Sequence, residues 1–400
     1  MLEINNKMVK REKYISEIRG FYDDDLVKII TGIRRCGKSV VLSQIQEEIQ
    51  MKSDNIIYLD FEDRAISGCI PDADSLLKYV NEKRKKNKCY VFLDEVQRLD
   101  DWASACRTLR LHDCSVFISG SNSKLLSKEF TKELSGRYVA FQIKPFVFKE
   151  IDEYYHTNKG TPDITDYLVW GGFPKRFDYS DKGEMRRYLN DLFETIIYND
   201  IVTRYKIKKT NLFRKLINYV FVTNSRIFSA RAIYRYLSGN GTECSPATII
   251  KYLGYMEEAF AIESISQYSK KNKRQLSYYK KIYDQDVAMN SIYVTDNRYD
   301  LTHNLENVIY NELLYRGYSL SVYDEGSAEI DFLAEKNGKR IFIQVAYSVQ
   351  EEKAYEREFK AFNKMDNSAR KVLITNDDLD YSTSTVEHIK LKDFLLSSEV

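Results

Sequence analysis

The 400-residue sequence predicts an α/β fold whose core is a parallel sheet wrapped by helices. In the first 145 residues, apolar and β-branched runs alternate with runs of helical periodicity. A glycine loop at residues 32–39 separates one such strand from the helix that follows it. A second apolar run ends in two carboxylates, Asp94 and Glu95. In open α/β sheets, ligands bind where the strands end, so both features indicate a site at that edge. Strands are predicted at residues 26–31, 56–61, 90–94, 115–119 and 138–143, with a first helix at residues 10–21.

The glycine loop reads Gly-Ile-Arg-Arg-Cys-Gly-Lys-Ser and fits the phosphate-binding pattern of a Gly, four residues, then Gly-Lys-Ser. Strand, loop and helix follow in the order that this pattern requires. The glycines let backbone N–H groups point at phosphate oxygens, Lys38 would contact the β- and γ-phosphates, and Ser39 would bind Mg²⁺. We therefore predict ATP and Mg²⁺ as ligands. The predicted nucleotide contacts are Gly32, Ile33, Arg34, Arg35, Cys36, Gly37, Lys38, Ser39 and Val40.

The carboxylate pair follows the loop by about 55 residues, at the end of a predicted buried strand. Adjacent carboxylates repel each other unless a cation is present, so the pair itself indicates a metal. Asp94 would hold Mg²⁺ through its water shell, and Glu95 would act as the general base for water.

Two later segments offer further catalytic candidates. The strand at residues 115–119 is followed by Ser121 and Asn122, and a polar residue there could orient the attacking water; Asn122 is the first choice and Ser121 the second. The alternative is a strand end closed by an Asx or Ser turn. Arg137 follows a glycine and could reach the γ-phosphate of a neighbouring subunit, or it could be an ordinary surface arginine.

Composition excludes several classes of protein. Lys and Arg number 61 against 59 acidic residues, which argues against a surface dedicated to nucleic acid but leaves room for a local basic patch. The six cysteines form no CxxC pair and the four histidines are dispersed, so we expect reduced thiols and no zinc site. No apolar run is long enough to span a membrane and the first residues are too polar for a signal peptide, so a cytoplasmic protein is expected.

The rest of the chain changes character twice. Residues 145–208 are predicted to be mostly helical, and residues 210–265 resemble a helix-turn-helix followed by a wing, with Ser245 as an N-cap and Pro246 at the first helical position. Residues 270–281 carry six basic residues and no acid. Beyond them the α/β alternation returns, with strands at 282–284, 319–323, 329–335, 340–346 and 371–375 and helices at 303–316 and 351–364.

Together these motifs resemble the AAA+ ATPases, in a prokaryotic branch that joins an AAA+ module to a C-terminal region of the DUF4143 type. The resemblance is carried by Arg34 and Arg35 in the loop and by the segments 92–97, 119–123, 135–138, 145–150 and 171–174. It implies an AAA+ base at residues 1–147, a helical lid at 148–208, a winged helix at 209–280 and a restriction-endonuclease-like α/β domain at 281–400. It further implies that Arg137 is an arginine finger and that Gly172 and Pro174 pack on the adenine base. A homo-oligomeric ring, most simply a hexamer, follows from the same resemblance.

Nucleases of that C-terminal fold bind Mg²⁺ through a helix acid, an Asp and an acid-x-Lys pair on the next strand. Here Glu306 or Glu312 could supply the helix acid, and Asp331 is present. Gln344 and Ala346 stand where the acid and the lysine should be. A neutral amide is a poor Mg²⁺ ligand beside carboxylates, so we predict that the domain is degenerate and serves binding or assembly.

Three functions remain open at this stage. The first is an ATP-hydrolysing oligomeric switch or motor that acts on DNA or on a protein client. The second is a nucleotide-gated nuclease, and the third is an assembly module that holds ATP without substantial turnover. Glu95 favours turnover, whereas Gln344 and Ala346 argue against cutting. The winged helix and residues 270–281 favour DNA, although winged helices also mediate protein contacts.

Overall fold

The computed structural model describes residues 9–121, 134, 136–158, 160–268, 280–293, 301–324, 329–363, 365 and 369–400. These residues form two compact units. The first unit comprises the described residues up to Pro145 together with Glu258–Phe260, and the second unit comprises the remainder.

The first unit is a five-stranded parallel sheet with helices between its strands, as predicted. Its strands are β1 (Val27–Thr31), β2 (Ile56–Asp60), β3 (Cys89–Asp94), β4 (Cys114–Gly120) and β5 (Tyr138–Gln142). Its helices are α1 (Glu12–Arg19), α2 (Lys38–Gln50), α3 (Arg64–Cys69), α4 (Ala73–Lys83) and α5 (Trp102–Leu111), with a short 3₁₀ turn at Val96–Arg98. Each predicted strand agrees with the observed one to within one residue at either end.

The strand order of this sheet is β2-β3-β4-β1-β5, and all pairs are parallel. Strands β1, β3 and β4 are buried along their whole length, which explains why they are mostly apolar on both faces rather than alternating. Because β4 lies between β1 and β3, the glycine loop after β1 and the acids after β3 flank the end of one strand.

The second unit begins with helices, as predicted for residues 145–208. They are α6 (Phe148–Asn158), α7 (Ile164–Trp170), a 3₁₀ turn at Pro174–Asp178, and α8 (Lys182–Thr195), which continues as a wider π-helical segment through Ile196–Thr203. Helix α7 ends at Gly171, whose φ of 65° lies in the left-handed region that glycine tolerates.

The next elements are α9 (Thr210–Val222), β6 (Ile227–Phe228), α10 (Ala230–Gly239), α11 (Pro246–Glu258), β7 (Ile262–Tyr268) and β8 (Lys280–Asp284). Strand β8 pairs antiparallel with both β6 and β7. The predicted N-cap is confirmed, because the backbone N–H of Thr248 donates to Ser245 Oγ at 3.2 Å and the helix starts at Pro246. Strand β8 lies across the predicted boundary at residue 280.

The chain ends in α12 (Ala288–Tyr293), α13 (Leu301–Tyr315), β9 (Ser319–Asp324), β10 (Glu329–Lys336), β11 (Lys339–Ala346), α14 (Glu352–Phe362), β12 (Arg370–Thr375), β13 (Glu387–Lys390) and α15 (Leu391–Leu396). Strands β9, β10 and β11 are antiparallel, whereas β12 is parallel to β11. Strand β7 pairs with β9, so one sheet of order β13-β12-β11-β10-β9-β7-β8-β6 runs through the second unit. The short elements α12, β13 and α15 were not predicted, since each is too short to show a clear periodicity.

Candidate nucleotide-binding site

The loop between β1 and α2 has the backbone that a phosphate-binding loop needs. Gly32 and Gly37 have φ values of 146° and 104°, and Gly37 is the N-cap of α2. A Cβ on Gly32 would lie 2.2 Å from the carbonyl oxygen of Ile143, so no larger residue fits there. Arg35 also adopts a left-handed conformation, with φ of 66°. Strained conformations of this kind cluster at functional sites, where the surrounding structure holds them in place.

Lys38 lies over this loop rather than in solvent. Its side chain is 4% exposed, and Nζ donates to the carbonyl oxygens of Gly32 and Ile33 at 3.2 Å each. Nζ is also 3.8 Å from Glu95 Oε1. Ser39, the next residue, is exposed. The ammonium and the hydroxyl therefore lie at the loop and the α2 N-terminus, where the helix dipole and free N–H groups favour a phosphate.

Asp94 is held rigidly at the end of β3. It is 2% exposed; Oδ1 accepts hydrogen bonds from Ser119 Oγ and from the N–H of Glu95 (3.1 Å), and Oδ2 accepts one from Tyr58 (2.9 Å). Burial and the nearby Asp94 carboxylate raise the pKa of the Tyr58 phenol, so the phenol stays a donor at neutral pH. Neither Tyr58 nor Ser119 was predicted from the sequence.

Glu95 occupies a strained backbone position that directs its carboxylate toward Lys38. Its φ of 50° and ψ of 44° are left-handed, which costs a non-glycine residue about 1 kcal/mol or more. Glu95 Oε2 accepts hydrogen bonds from Ser121 Oγ (3.3 Å) and from the Gln97 side-chain amide. Ser121 therefore lies at the site as predicted, and Asn122 lies outside the described residues.

The edge around these groups is acidic. Asp60 lies opposite Asp94 in the β2–β3 register, and burial together with the charge of Asp94 raises its pKa. Glu62 also lies there and pairs with Arg34 of the loop (3.6 Å) and with Arg98 (3.4 Å). Oxygen donors of this kind suit Mg²⁺. The part of the chain that the structure describes contains no group of three or more His, Cys, Asp or Glu able to hold a metal ion, so a Mg²⁺ here would take its other ligands from phosphate and water.

Arg11 supports the loop from the first unit's N-terminal segment and was also missed. It is 1% exposed; Nη1 donates to the carbonyl oxygen of Cys36 (3.1 Å) and Nη2 to that of Lys144 (2.8 Å). Its backbone N–H donates to Gln44 Oε1 on α2 at 3.0 Å. In the sequence it stands among the charged residues Lys10, Glu12 and Lys13, so nothing distinguished it from these neighbours.

Arg137 lies away from these residues. Its side chain is exposed, and its backbone oxygen accepts a hydrogen bond from the N–H of Val27 at 3.0 Å, at the amino end of β1. The glycine loop follows the carboxyl end of that strand. The five residues of β1 rise by about 3.3 Å each, which places Arg137 at the opposite edge of the sheet from its own loop.

Gly172 and Pro174 belong to the second unit, where Gly172 is tightly packed. Its N–H donates to Asp286 Oδ2 at 2.7 Å, and its carbonyl accepts from the N–H of Phe146 at 2.8 Å. A Cβ on the preceding Gly171 would lie 1.6 Å from Asp286 Oδ1. Burial raises the pKa of Asp286 to about 6. These contacts alone explain the two glycines, with or without an adenine base packed beside them. Pro174 starts the 3₁₀ turn that follows.

Across the described residues, the structure contains no helix that is both long and apolar enough to cross a membrane.

Family models match most of the chain in three consecutive segments. Residues 24–152 match AAA_14, described as an AAA domain. Residues 161–297 match DUF8612 and residues 301–394 match DUF4143, each described as a domain of unknown function. The first segment contains the glycine loop, the acid pair and Arg137.

Two relatives match the chain over most of their own length. An uncharacterized protein of Haemophilus influenzae is 31% identical over 358 residues, covering 87% of this chain and 89% of the relative. An uncharacterized protein of Methanocaldococcus jannaschii is 31% identical over 399 residues, covering 94% and 88%. Among solved structures, AMPPCP-bound DnaA from Aquifex aeolicus aligns over 61% of this chain and 86% of that chain (15% identity, TM-score 0.33). The Aeropyrum pernix Orc1 protein in complex with DNA aligns over 74% and 95% (13% identity, TM-score 0.35). On the family models and the two relatives, the chain belongs to the prokaryotic AAA+ ATPases with a DUF4143 C-terminal region.

Proposed function

We propose that the protein hydrolyses ATP and works as an oligomeric switch or motor on DNA or on a protein client. The observation that carries this proposal is the approach of Lys38 and Glu95 at the loop, 3.8 Å apart, next to the buried Asp94. Glu95 is a second acid, held in a strained backbone conformation, and its carboxylate accepts hydrogen bonds from Ser121 and Gln97. A protein that only held ATP would not need this residue.

The residues suggest the following division of roles. The loop N–H groups and Lys38 would bind the β- and γ-phosphates, and Ser39 and Asp94 would hold Mg²⁺, which would neutralise charge on the phosphate oxygens. Glu95 would accept a proton from the water whose oxygen attacks the γ-phosphorus, with ADP as the leaving group. Ser121 would fix the Glu95 carboxylate, and Asn122 is proposed to orient the water.

The test separates nucleotide binding from turnover. Lys38→Ala should abolish binding of a fluorescent ATP analogue, whereas Glu95→Gln should retain binding and lower the rate of phosphate release by about 10² or more, the usual size of a general-base effect. Glu82→Gln, an exposed acid on α4, is the matched control and should leave the rate unchanged. A Glu95→Gln protein that turns over ATP like the control would contradict the proposed mechanism.

We further propose that each active site is completed by the Arg137 of a neighbouring subunit. Arg137 is exposed at the edge of the sheet away from its own loop, so its guanidinium is better placed to serve the ATP of a neighbouring copy than its own. A guanidinium supplied in this way contributes about 10³-fold or more in related phosphate-loop enzymes. ATP would then bridge subunits and promote a ring, with a hexamer as the expected form.

Mixing two inactive proteins tests this arrangement. Arg137→Ala and Lys38→Ala should each be inactive alone, and a mixture should regain activity because a site with Lys38 can use the partner's Arg137. The readout is phosphate release together with the mass of the assembly by light scattering. Failure to regain activity in mixed oligomers, or full activity of a strict monomer, would make Arg137 an ordinary surface residue.

For the second unit we propose the division made from the sequence, with a lid at residues 148–208, a winged helix at 209–280 and a restriction-endonuclease-like domain at 281–400. The order α9, β6, α10, α11, β7, β8, with β8 antiparallel to β6 and β7, supports a winged helix. Exposed Arg231 and Arg235, one turn apart on α10, give this segment basic side chains that could meet a polyanion.

DNA binding can be tested through the basic segment that joins β7 to β8. Neutralising Lys270, Lys271, Lys273 and Arg274, which lie outside the described residues, should weaken binding to duplex DNA. The salt dependence of binding should fall by about one unit of slope for each phosphate that is no longer neutralised by a basic side chain. Lys281, at the end of the predicted basic stretch, is wrong as a DNA contact because its side chain is only 5% exposed. Unchanged affinity in the fourfold variant would favour a protein client.

A further inference from the structure

Two of the acids expected to bind metal in a nuclease of the C-terminal fold do come together in the second unit. Glu306 projects from α13 and Asp331 from β10, and both contact the same atom. Glu312, the alternative helix acid, does not take part, since it pairs with Arg316 at 2.7 Å. The atom that the two acids share is the ammonium nitrogen of Lys281.

Lys281 enters this cluster from β8. Its Nζ lies 2.9 Å from Glu306 Oε1, 2.9 Å from Asp331 Oδ1 and 3.3 Å from Glu329 Oε1. The lysine side chain is 5% exposed, and the Glu306 and Asp331 side chains are 8% and 12% exposed. An ammonium has three N–H groups, so each carboxylate can accept one of them. Tyr283, two residues further along the same strand, donates to Glu306 Oε1 at 2.7 Å.

Asp331 and Gln344 also make hydrogen bonds to protein groups around the cluster. Asp331 Oδ2 accepts a hydrogen bond from the N–H of Val345 at 3.1 Å. Gln344, which stands where an acid would be needed, uses its oxygen to accept from the N–H of Asp331 (3.2 Å) and its amide to donate to Glu358 (2.8 Å). A carboxylate at position 344 could not make the second contact, because two carboxylates would then face each other.

The three carboxylates of the cluster share one positive charge, that of Lys281. Burial alone would lower the pKa of Lys281, but attraction by Asp331, Glu306 and Glu329 outweighs burial and holds that pKa above its ordinary value. A divalent ion would need oxygen ligands at about 2.0–2.6 Å, and the ammonium stands where that ion would be.

We infer that the Lys281 ammonium permanently occupies the cation position of this site, so that the domain binds no catalytic metal there. The residues do not fit a metal-dependent nuclease, and the cluster instead fixes β8 to α13 and β10. This inference is independent of the proposed ATPase activity, since all of its residues lie in the second unit.

The first experiment counts manganese ions on the full-length protein without nucleotide, by electron paramagnetic resonance at pH 8. Lys281→Met keeps the length of the side chain and removes its charge, so the variant should gain one Mn²⁺ site that the wild type lacks. The gained site should disappear again in Lys281→Met/Asp331→Asn. Lys280→Met is the matched control: Lys280 is the preceding residue on the same strand, contacts Ser264 at 3.1 Å instead of the cluster, and should gain no site. If Lys281→Met binds no additional ion, the inference is wrong.

The second experiment uses the intact cluster and does not depend on how well the methionine variant folds. Wild type, Asp331→Asn and Glu329→Gln should bind the same number of Mn²⁺ ions, because Lys281 already satisfies these acids. A wild-type site that disappears in Asp331→Asn would show that metal enters despite the lysine and would overturn the inference. Lys281→Arg, which keeps the positive charge, should likewise gain no site.

Discussion

Replacing Arg11 by methionine should both destabilise the first unit and weaken nucleotide binding. The guanidinium is buried and donates to two backbone carbonyls, one in the glycine loop (Cys36, 3.1 Å) and one beyond β5 (Lys144, 2.8 Å). A hydrogen bond from a charged group contributes about 1.5–3 kcal/mol, so the two together contribute about 3–6 kcal/mol. Methionine fills part of the volume but leaves both carbonyls without this donor.

The free energy of unfolding should therefore fall by about 3 kcal/mol, the lower end of the 3–6 kcal/mol range. At about 2–4 °C per kcal/mol for a domain of 150–250 residues, the melting temperature should fall by about 6–12 °C. The melting temperature of Arg11→Lys should lie between those of wild type and Arg11→Met. A single ammonium cannot donate to both carbonyls, which the guanidinium reaches with separate nitrogens. Nucleotide affinity should fall in the same order, since the Cys36 carbonyl belongs to the loop that receives the phosphates.

Thermal unfolding with and without nucleotide, and titration with a fluorescent ATP analogue, measure both effects on the same samples. Lys10→Met is the matched control, because this neighbour is 60% exposed and its ion pair with Glu12 is worth at most about 1 kcal/mol. An Arg11→Met protein that melts and binds nucleotide like the Lys10→Met control would refute the assignment of Arg11 as a support of the loop.

Three further predictions follow from contacts described above. Tyr58→Phe removes the hydroxyl that donates to Asp94, so it should lower the ATPase rate by less than tenfold and leave nucleotide binding intact. Initial rates and a binding titration measure the two effects, and an unchanged rate would mean that the other donors to Asp94 suffice. Gly171→Ala should destabilise the protein by about 3 kcal/mol or more in thermal unfolding, because its Cβ would overlap Asp286, whereas Gly68→Ala, with open space around it, should be neutral or slightly stabilising. Because burial raises the pKa of Asp286 to about 6, its contribution to stability is fully present below about pH 4 and is lost as the pH rises through 6. Asp286→Asn should therefore show a smaller decline of melting temperature than wild type between pH 4 and 7, and parallel curves would contradict this.

Local sequence signals were sufficient to predict the sheet and to single out Lys38, Asp94 and Glu95, which the structure brings together. Runs such as that ending at Asp94 are apolar because their strands are buried on both faces, and the glycine loop has a fixed spacing because its backbone must enclose phosphate. Both constraints act on neighbours in the chain, so they can be read without knowing the fold.

The residues that sequence reasoning missed depend instead on contacts between distant segments. Tyr58 and Ser119 meet Asp94 only because β2 and β4 flank β3, and Arg11 meets Cys36 only because the fold brings together segments 25 residues apart in the chain. Lys281 was grouped with a run of basic residues, although the strand that starts at Lys280 carries it into the interior. A charge in a basic run and a charge in a buried cluster look alike until the pairing of the strand is known.

The contacts of residues 280–286 limit where this chain can be cut to build chimaeras with its relatives. Within seven residues the chain pairs with β6 and β7, places Lys281 among acids of α13 and β10, and supplies Asp286 to the two glycines that follow α7. Segments that appear separate in sequence are thus joined through one short strand and its turn. An exchange of the C-terminal region between relatives at residue 280 would separate Asp286 from the Gly172 N–H that donates to it, and most of β8 from β6 and β7, so these groups would face side chains chosen for another protein. Functional chimaeras should be recovered only when the whole stretch from residue 146 onward is transferred together.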